Sequence, residues 1–178
     1  MISTVGHSNR SRPEFITLLN DIGVKALVDI RSYPSSRQNP QFRQAVLRRA
    51  LEDAGIQYDW AGHHLGGLRR ADARSPHIAL SDSLRGYADY MYSPVFKNTV
   101  RQLLGLSRHQ HVTLMCAERD ADRCHRSLLA DFLVAGGRPV FHLVAAGVQS
   151  SHRLSPRLRN ESGKLIYDRN TQTQLLGI

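Results

Sequence analysis

Apolar positions along this chain fall into two spacings. Strand-length segments fall at residues 2–5, 26–30, 112–115 and 139–144, and the short apolar run at 112–115 suits a strand covered on both faces. Between them, apolar residues recur every three or four positions, which is the helical signature. Phe15, Ile16, Leu18, Leu19 and Ile22 make one such stripe, opened by Ser11 as a cap with Pro13 and Glu14 in the first turn, and stopped by Gly23. Phe42, Val46, Leu47 and Leu51 make a second stripe over about residues 40–54. A short helix over residues 84–91 carries Tyr87 and Tyr90, and Ser93-Pro94 caps a longer one to about Leu106. Leu128, Leu129, Phe132 and Leu133 mark a last helix, with Cys124, His125 and Arg126 assigned to its first turn. Residues 56–60 alternate instead of running apolar, which places that strand nearer a sheet edge.

Strands alternating with helices predict βαβ units, hence an α/β fold: a three-layer Rossmann-like sandwich around a mainly parallel sheet of about five strands. Residues 1–178 read as one domain, with a basic and irregular segment over 149–178 in which residues 165–167 add one short strand. Loops at 6–10, 29–40 and 62–82 are rich in Gly, Ser, Pro and Arg, and fall at the carboxyl ends of strands, where open α/β sheets bind ligands. Gly66-Gly67 is expected to make the last of these mobile, able to fold over a ligand.

Composition narrows the class. With 41% hydrophobic and 22% charged residues, and no apolar run long enough to span a bilayer, no membrane partner is expected. The first residues lack a basic segment followed by an apolar core, so the cytoplasm is the expected address, and two cysteines there do not make a disulfide framework. The net charge of +9 rests on 21 arginines and 3 lysines. Guanidinium groups grip phosphate and carboxylate in a two-point fork, so an anionic small molecule or a nucleic acid is the expected partner. No cofactor is expected, and the oligomeric state stays open.

The candidate chemistry collects after residue 111. Cys116 ends a buried strand, where a thiolate nucleophile is well placed. His7 and His64, on neighbouring loops, are the candidate proton carriers. Asn9, Asp29, Arg31, Glu118, His125 and Arg126 are the candidate substrate-binding groups, with Asp29 orienting Arg31 and the last two acting as anion donors at a helix amino terminus. Cys124 is a candidate redox partner for Cys116. Cys116, Glu118, Cys124 and His125 also offer mixed donors for zinc or iron, but the tight C-x-x-C pairing of metal sites is absent and no metal is expected. A competing reading takes Arg43, Arg48 and Arg49 with Arg153, Arg157 and Arg159 as a nucleic-acid footprint, with Tyr33, Tyr58 or Trp60 stacking on bases.

The motifs Val5-Gly-His-Ser-Asn9, Val28-Asp-Ile-Arg31 with Pro34, Asn39-Pro-Gln-Phe42, His64-Leu-Gly-Gly67, Gly86-Tyr-Ala-Asp-Tyr-Met91, Cys116-Ala-Glu118 and Cys124-His-Arg126 run through nearly the whole chain. Together they resemble the family called domain of unknown function four-eight-eight, which brings no established reaction. More distantly, Val28-Asp-Ile-Arg31 is similar to the Asp-x-Arg element of rhodanese domains, and Leu114-Met-Cys116 before a loop and helix resembles the rhodanese and cysteine-phosphatase site. That likeness implies a thiolate at a strand end that carries sulfur or a phosphoryl group. The sequence departs from it in placing six residues between Cys116 and Arg123, in a loop without glycine and with Glu118, Asp120 and Asp122.

Overall fold

The computed structural model describes residues 1–169. Six strands form the central sheet: β1 (Ile2–Gly6), β2 (Ala26–Asp29), β3 (Gln57–Trp60), β4 (Val112–Cys116), β5 (Val140–Ala145) and β6 (Val148–Ser151), in the order β3-β2-β4-β1-β5-β6. The first five are parallel and β6 returns antiparallel to β5. β4 is buried at every residue and takes the middle, so β1 and β2 flank it and do not touch each other. The least buried parallel strand, β3, lies at the edge that its alternating sequence predicts.

Side chains leave each strand on alternate faces, and two cores result. Leu27, Met115, Val5 and Leu143 meet α1 (Arg12–Asn20) and α2 (Gln44–Asp53) through Phe15, Leu18, Leu19, Leu47 and Leu51. Ala26, Val28, Val112, Leu114 and Cys116 face α4 (Asp82–Tyr90), α5 (Pro94–Ser107) and α6 (Arg126–Ala135) through Tyr87, Phe96, Leu103 and Leu129. Helices on both faces of a mainly parallel sheet make the three-layer α/β sandwich. Ser11 caps α1 with a full capping box to Glu14. α3 (Gly62–Leu65) is a single turn after β3.

Three expectations need correction. The helix expected from Pro40 is split, because Arg43 leaves the helical region between a 3-10 turn at Pro40–Phe42 and α2. Residues 149–169 are not irregular: they supply β6 and a hairpin, β7 (Leu158–Glu161) with β8 (Lys164–Tyr167), whose Leu158, Leu165 and Tyr167 join the α6-side core. The rest of the expected C-terminal segment lies outside the described residues. Gly66 and Gly67, expected to loosen their loop, are closely packed instead. A β-carbon on Gly67 would stand 2.5 Å from His125 Nδ1, so only glycine admits the imidazole there. No helix among the described residues is long and apolar enough to cross a membrane.

Candidate thiol and histidine site

The carboxyl ends of β1, β4 and β2 open into one cleft of about 660 Å³, whose walls include His7, Asn9, Arg31, Cys116, Glu118, Cys124 and His125. The convergence follows from strand order, since Cys116 ends the strand between the two that carry His7 and Arg31. Loop 117–125 then crosses the end of β1. Ser8 N–H donates to Ala117 O, and the Glu118 carbonyl approaches Gly6 so closely that a β-carbon there would lie 1.7 Å from its oxygen. The loop tightens into a 3-10 turn at Ala121–Arg123, which swings Cys124 and His125 back over Cys116. Cys124 and His125 therefore precede α6 instead of lying in its first turn.

Both cysteines are free and almost wholly buried, Cys116 at 7% and Cys124 at 4% exposure, yet both residues line the cleft wall. His125 Nδ1 lies 3.6 Å from Cys124 Sγ and 3.9 Å from Cys116 Sγ. Its Nε2–H donates to the Ile30 carbonyl at 3.2 Å, which leaves the Nδ1 lone pair facing the sulfurs. Gly67 and the edge of Tyr87, 4.9 Å away between ring centres, hold the imidazole in that pose. The neighbouring Cys116 side chain draws the Cys124 thiol below its usual range; the same neighbour and burial push Cys116 above it.

The other predicted groups behave differently. Asp29 is fully buried and touches no part of the cleft; its carboxylate takes Arg31 Nε and Nη2 at 2.9 and 2.6 Å and the Tyr58 hydroxyl at 2.8 Å. Arg31 also donates Nη2 to the Phe42 carbonyl, so only its Nη1 edge faces the cleft, where it donates to His7 Nε2 at 3.2 Å. His7 Nδ1–H donates to Ser8 O at 2.8 Å, and the ring stacks on Phe42. Both ring nitrogens are engaged and burial lowers the pKa from 6.5 to about 4, so His7, expected as a proton carrier, offers the cleft no free lone pair. His64 is exposed on α3 and lies off the cleft wall, because that single turn directs Leu65 inward and both its histidines outward.

Arg126 is likewise turned away. Its guanidinium donates to the carbonyls of Glu118 and Arg119, the latter at 2.6 Å, so it ties down the loop and offers the cleft no anion grip. Two of the three proposed stacking residues are engaged: Tyr58 is buried on Asp29, and Trp60 donates to the Arg31 carbonyl while packing on His63; Tyr33 is exposed and lines the cleft. The arginines of α2 lie by β3 and those of residues 153–159 follow β6, at opposite edges of the sheet, so they do not make one footprint.

Fold and site together define a three-layer α/β protein with a cysteine- and histidine-lined cleft at the carboxyl ends of its central strands. The chain belongs to the family described as Domain of unknown function DUF488, whose model matches residues 11–133. That span holds Arg31, Cys116, Cys124 and His125, and stops short of His7 on one side and His142 on the other. Comparison with the curated proteins and with the solved structures returned no match.

Proposed function

We propose that the chain is a thiol-dependent enzyme of a reducing compartment such as the cytoplasm, which transfers sulfur from an anionic donor bound in the cleft. The observation that carries this reading is the free Nδ1 lone pair of His125 poised over two cleft sulfurs. Cys124, the sulfur nearer His125 and the one directly ahead of α6, is the nucleophile, and Cys116 is its neighbour; the sequence alone favoured the reverse assignment. His125 takes the Cys124 proton. The thiolate then attacks the outer sulfur of the donor, a new S–S bond forms on Cys124, and the donor's own S–S bond breaks with its electron pair leaving on the anion. The proton held by His125 goes to that leaving group or to solvent. An acceptor thiol completes the cycle by attacking the carried sulfur.

Arg126, expected as an anion donor, is spent on backbone carbonyls and takes no part in the transfer. The anion itself meets Arg31 Nη1, Asn9 and the cleft-lining Arg119 and Arg123. The test is peptide mass mapping of the reduced chain after exposure to thiosulfate. A one-sulfur increment on Cys124, lost in Cys124→Ser, is expected. A Cys116–Cys124 disulfide would move the reading to redox chemistry. Two unmodified thiols, together with steeply salt-dependent nucleic-acid binding that survives Cys124→Ser, would overturn it in favour of a binding module.

A further inference from the structure

The same three groups have the geometry of a metal-ligand set. Cys116 Sγ, Cys124 Sγ and a ring nitrogen of His125 all lie within 4.8 Å of one another. A tetrahedral zinc ion, with bonds of about 2.3 Å to sulfur and about 2.0–2.1 Å to nitrogen, needs a sulfur–nitrogen separation of roughly 3.6 Å. The two observed separations are 3.6 and 3.9 Å. The imidazole also has the supporting contact that metal-ligating histidines use, since its other nitrogen donates to a backbone carbonyl, that of Ile30. Gly67 and Tyr87 already fix the ring, so little reorganisation is left for binding.

We infer that Cys116, Cys124 and His125 form a three-ligand site for a thiophilic divalent cation of the zinc class, with the fourth position opening into the cleft. Two sulfurs and one imidazole select a soft or borderline ion over magnesium or calcium, which take oxygen ligands. Three protein ligands with one open position is the pattern of zinc sites that bind an exchangeable molecule, and all three residues line the cleft wall. An anion entering the cleft would meet the cation there. The spacing that argued against a metal in the sequence, eight residues apart with no C-x-x-C, is overcome by the 3-10 turn that brings Cys124 back to Cys116.

This inference goes beyond the thiol chemistry proposed above and does not depend on it. Cation and electrophile need the same sulfur lone pairs, so bound zinc would silence sulfur uptake by Cys124. The test is titration of the reduced, metal-free full-length chain with cobalt(II), followed by zinc(II). Expected are thiolate-to-cobalt charge-transfer absorption with the visible bands of a four-coordinate site, saturation at one ion per chain, and displacement by zinc. Cys116→Ser, Cys124→Ser and His125→Ala should each weaken cobalt binding by on the order of 100-fold or more, since loss of even a supporting contact costs about 10–100-fold. In the unaltered chain, zinc should protect Cys116 and Cys124 together from alkylation, a readout that needs no variant to fold. Absence of charge-transfer absorption, or zinc that leaves both thiols open to alkylation, would overturn the site. Cobalt binding, with no sulfur uptake from thiosulfate by the metal-free chain, would sink the proposed function alone, and sulfur uptake by the metal-free chain with no cobalt binding would sink this inference alone.

Discussion

Two histidine clusters lie under the same helix, and they have opposite characters. At the start of α6, His125 faces two thiols with an uncommitted lone pair and an open cleft beyond. Further along that helix, the buried carboxylate of Asp131 anchors a closed chain. As an acceptor only, it takes His152 Nε2–H at 2.9 Å, Ser155 N–H at 2.9 Å and the Tyr167 hydroxyl at 3.0 Å. His152 Nδ1 must then accept from His142 Nε2–H at 2.8 Å, and His142 Nδ1 from the Thr4 hydroxyl at 2.7 Å. Every tautomer in that chain follows from the carboxylate, and no ring nitrogen is left over. The closed cluster ties β1, β5, the segment after β6 and the β7–β8 hairpin to α6. The open cluster ties down little and keeps reactive atoms within reach of solvent. Histidine content alone therefore says nothing about role; the count of uncommitted lone pairs does.

Unfolding measurements should separate the two. Asp131→Ala removes the one acceptor of three buried donors and is expected to cost about 3–5 kcal/mol in denaturant unfolding. Loss below about 1 kcal/mol would mean the closed chain carries little of the fold. Gly67→Ala comes next. Its β-carbon would meet His125 Nδ1 at 2.5 Å and Cγ at 2.7 Å, so about 1–3 kcal/mol of overpacking is expected, with the imidazole pushed off the sulfurs and alkylation of Cys124 altered. Unchanged thiol reactivity in that variant would show that the ring pose is not what governs the sulfurs.

A smaller effect follows from pH. Burial, followed by His152 and Arg126, lowers the His142 pKa from 6.5 to about 4, against the opposing pull of Asp122 and Asp131. The unfolded chain therefore binds a proton at this residue between pH 6.5 and about 4 while the folded chain does not, and stability must fall as pH drops through that window. Replacing His142 by Asn should flatten this part of the stability profile. An equally steep profile in the variant would place the acid sensitivity elsewhere, His7 being the other histidine drawn down to about 4.

The open cluster was partly legible in the sequence and the closed one was not, for a physical reason. His7, Arg31 and Cys116 each follow an apolar run, and parallel strands put the ends of such runs at one edge whatever the loops do. The strand order that sets β4 between β1 and β2 completed the convergence. What stayed hidden depended on turns and on the company each side chain keeps. The 3-10 turn that returns Cys124 leaves no apolar period to read, and the outward side of α3 that exposes His64 is set by the burial of Gly62 and Leu65. β6 is exposed along its whole length, so its sequence carries no alternation, and its pairing with β5 comes from the chain's return. Without β6 there was no reason to bring His152 to His142.

The smallest expected change in stability belongs to Cys124→Ser, and it bears hardest on the comparison. Oxygen for sulfur keeps the shape of a side chain that is almost wholly enclosed and removes only a long sulfur contact to His125 Nδ1, so the cost should stay at about 1 kcal/mol. Reactivity should respond in the opposite sense, because a serine hydroxyl at this position is neither a thiolate nor a sulfur carrier, and uptake of sulfur from thiosulfate should drop to background. A residue that costs little to replace and abolishes chemistry marks an open cluster; one that costs several kcal/mol and touches no reaction marks a closed one. Should Cys124→Ser unfold as readily as Asp131→Ala, the two sulfurs would be core filling between β4 and α6, and the distinction between the two ends of that helix would collapse.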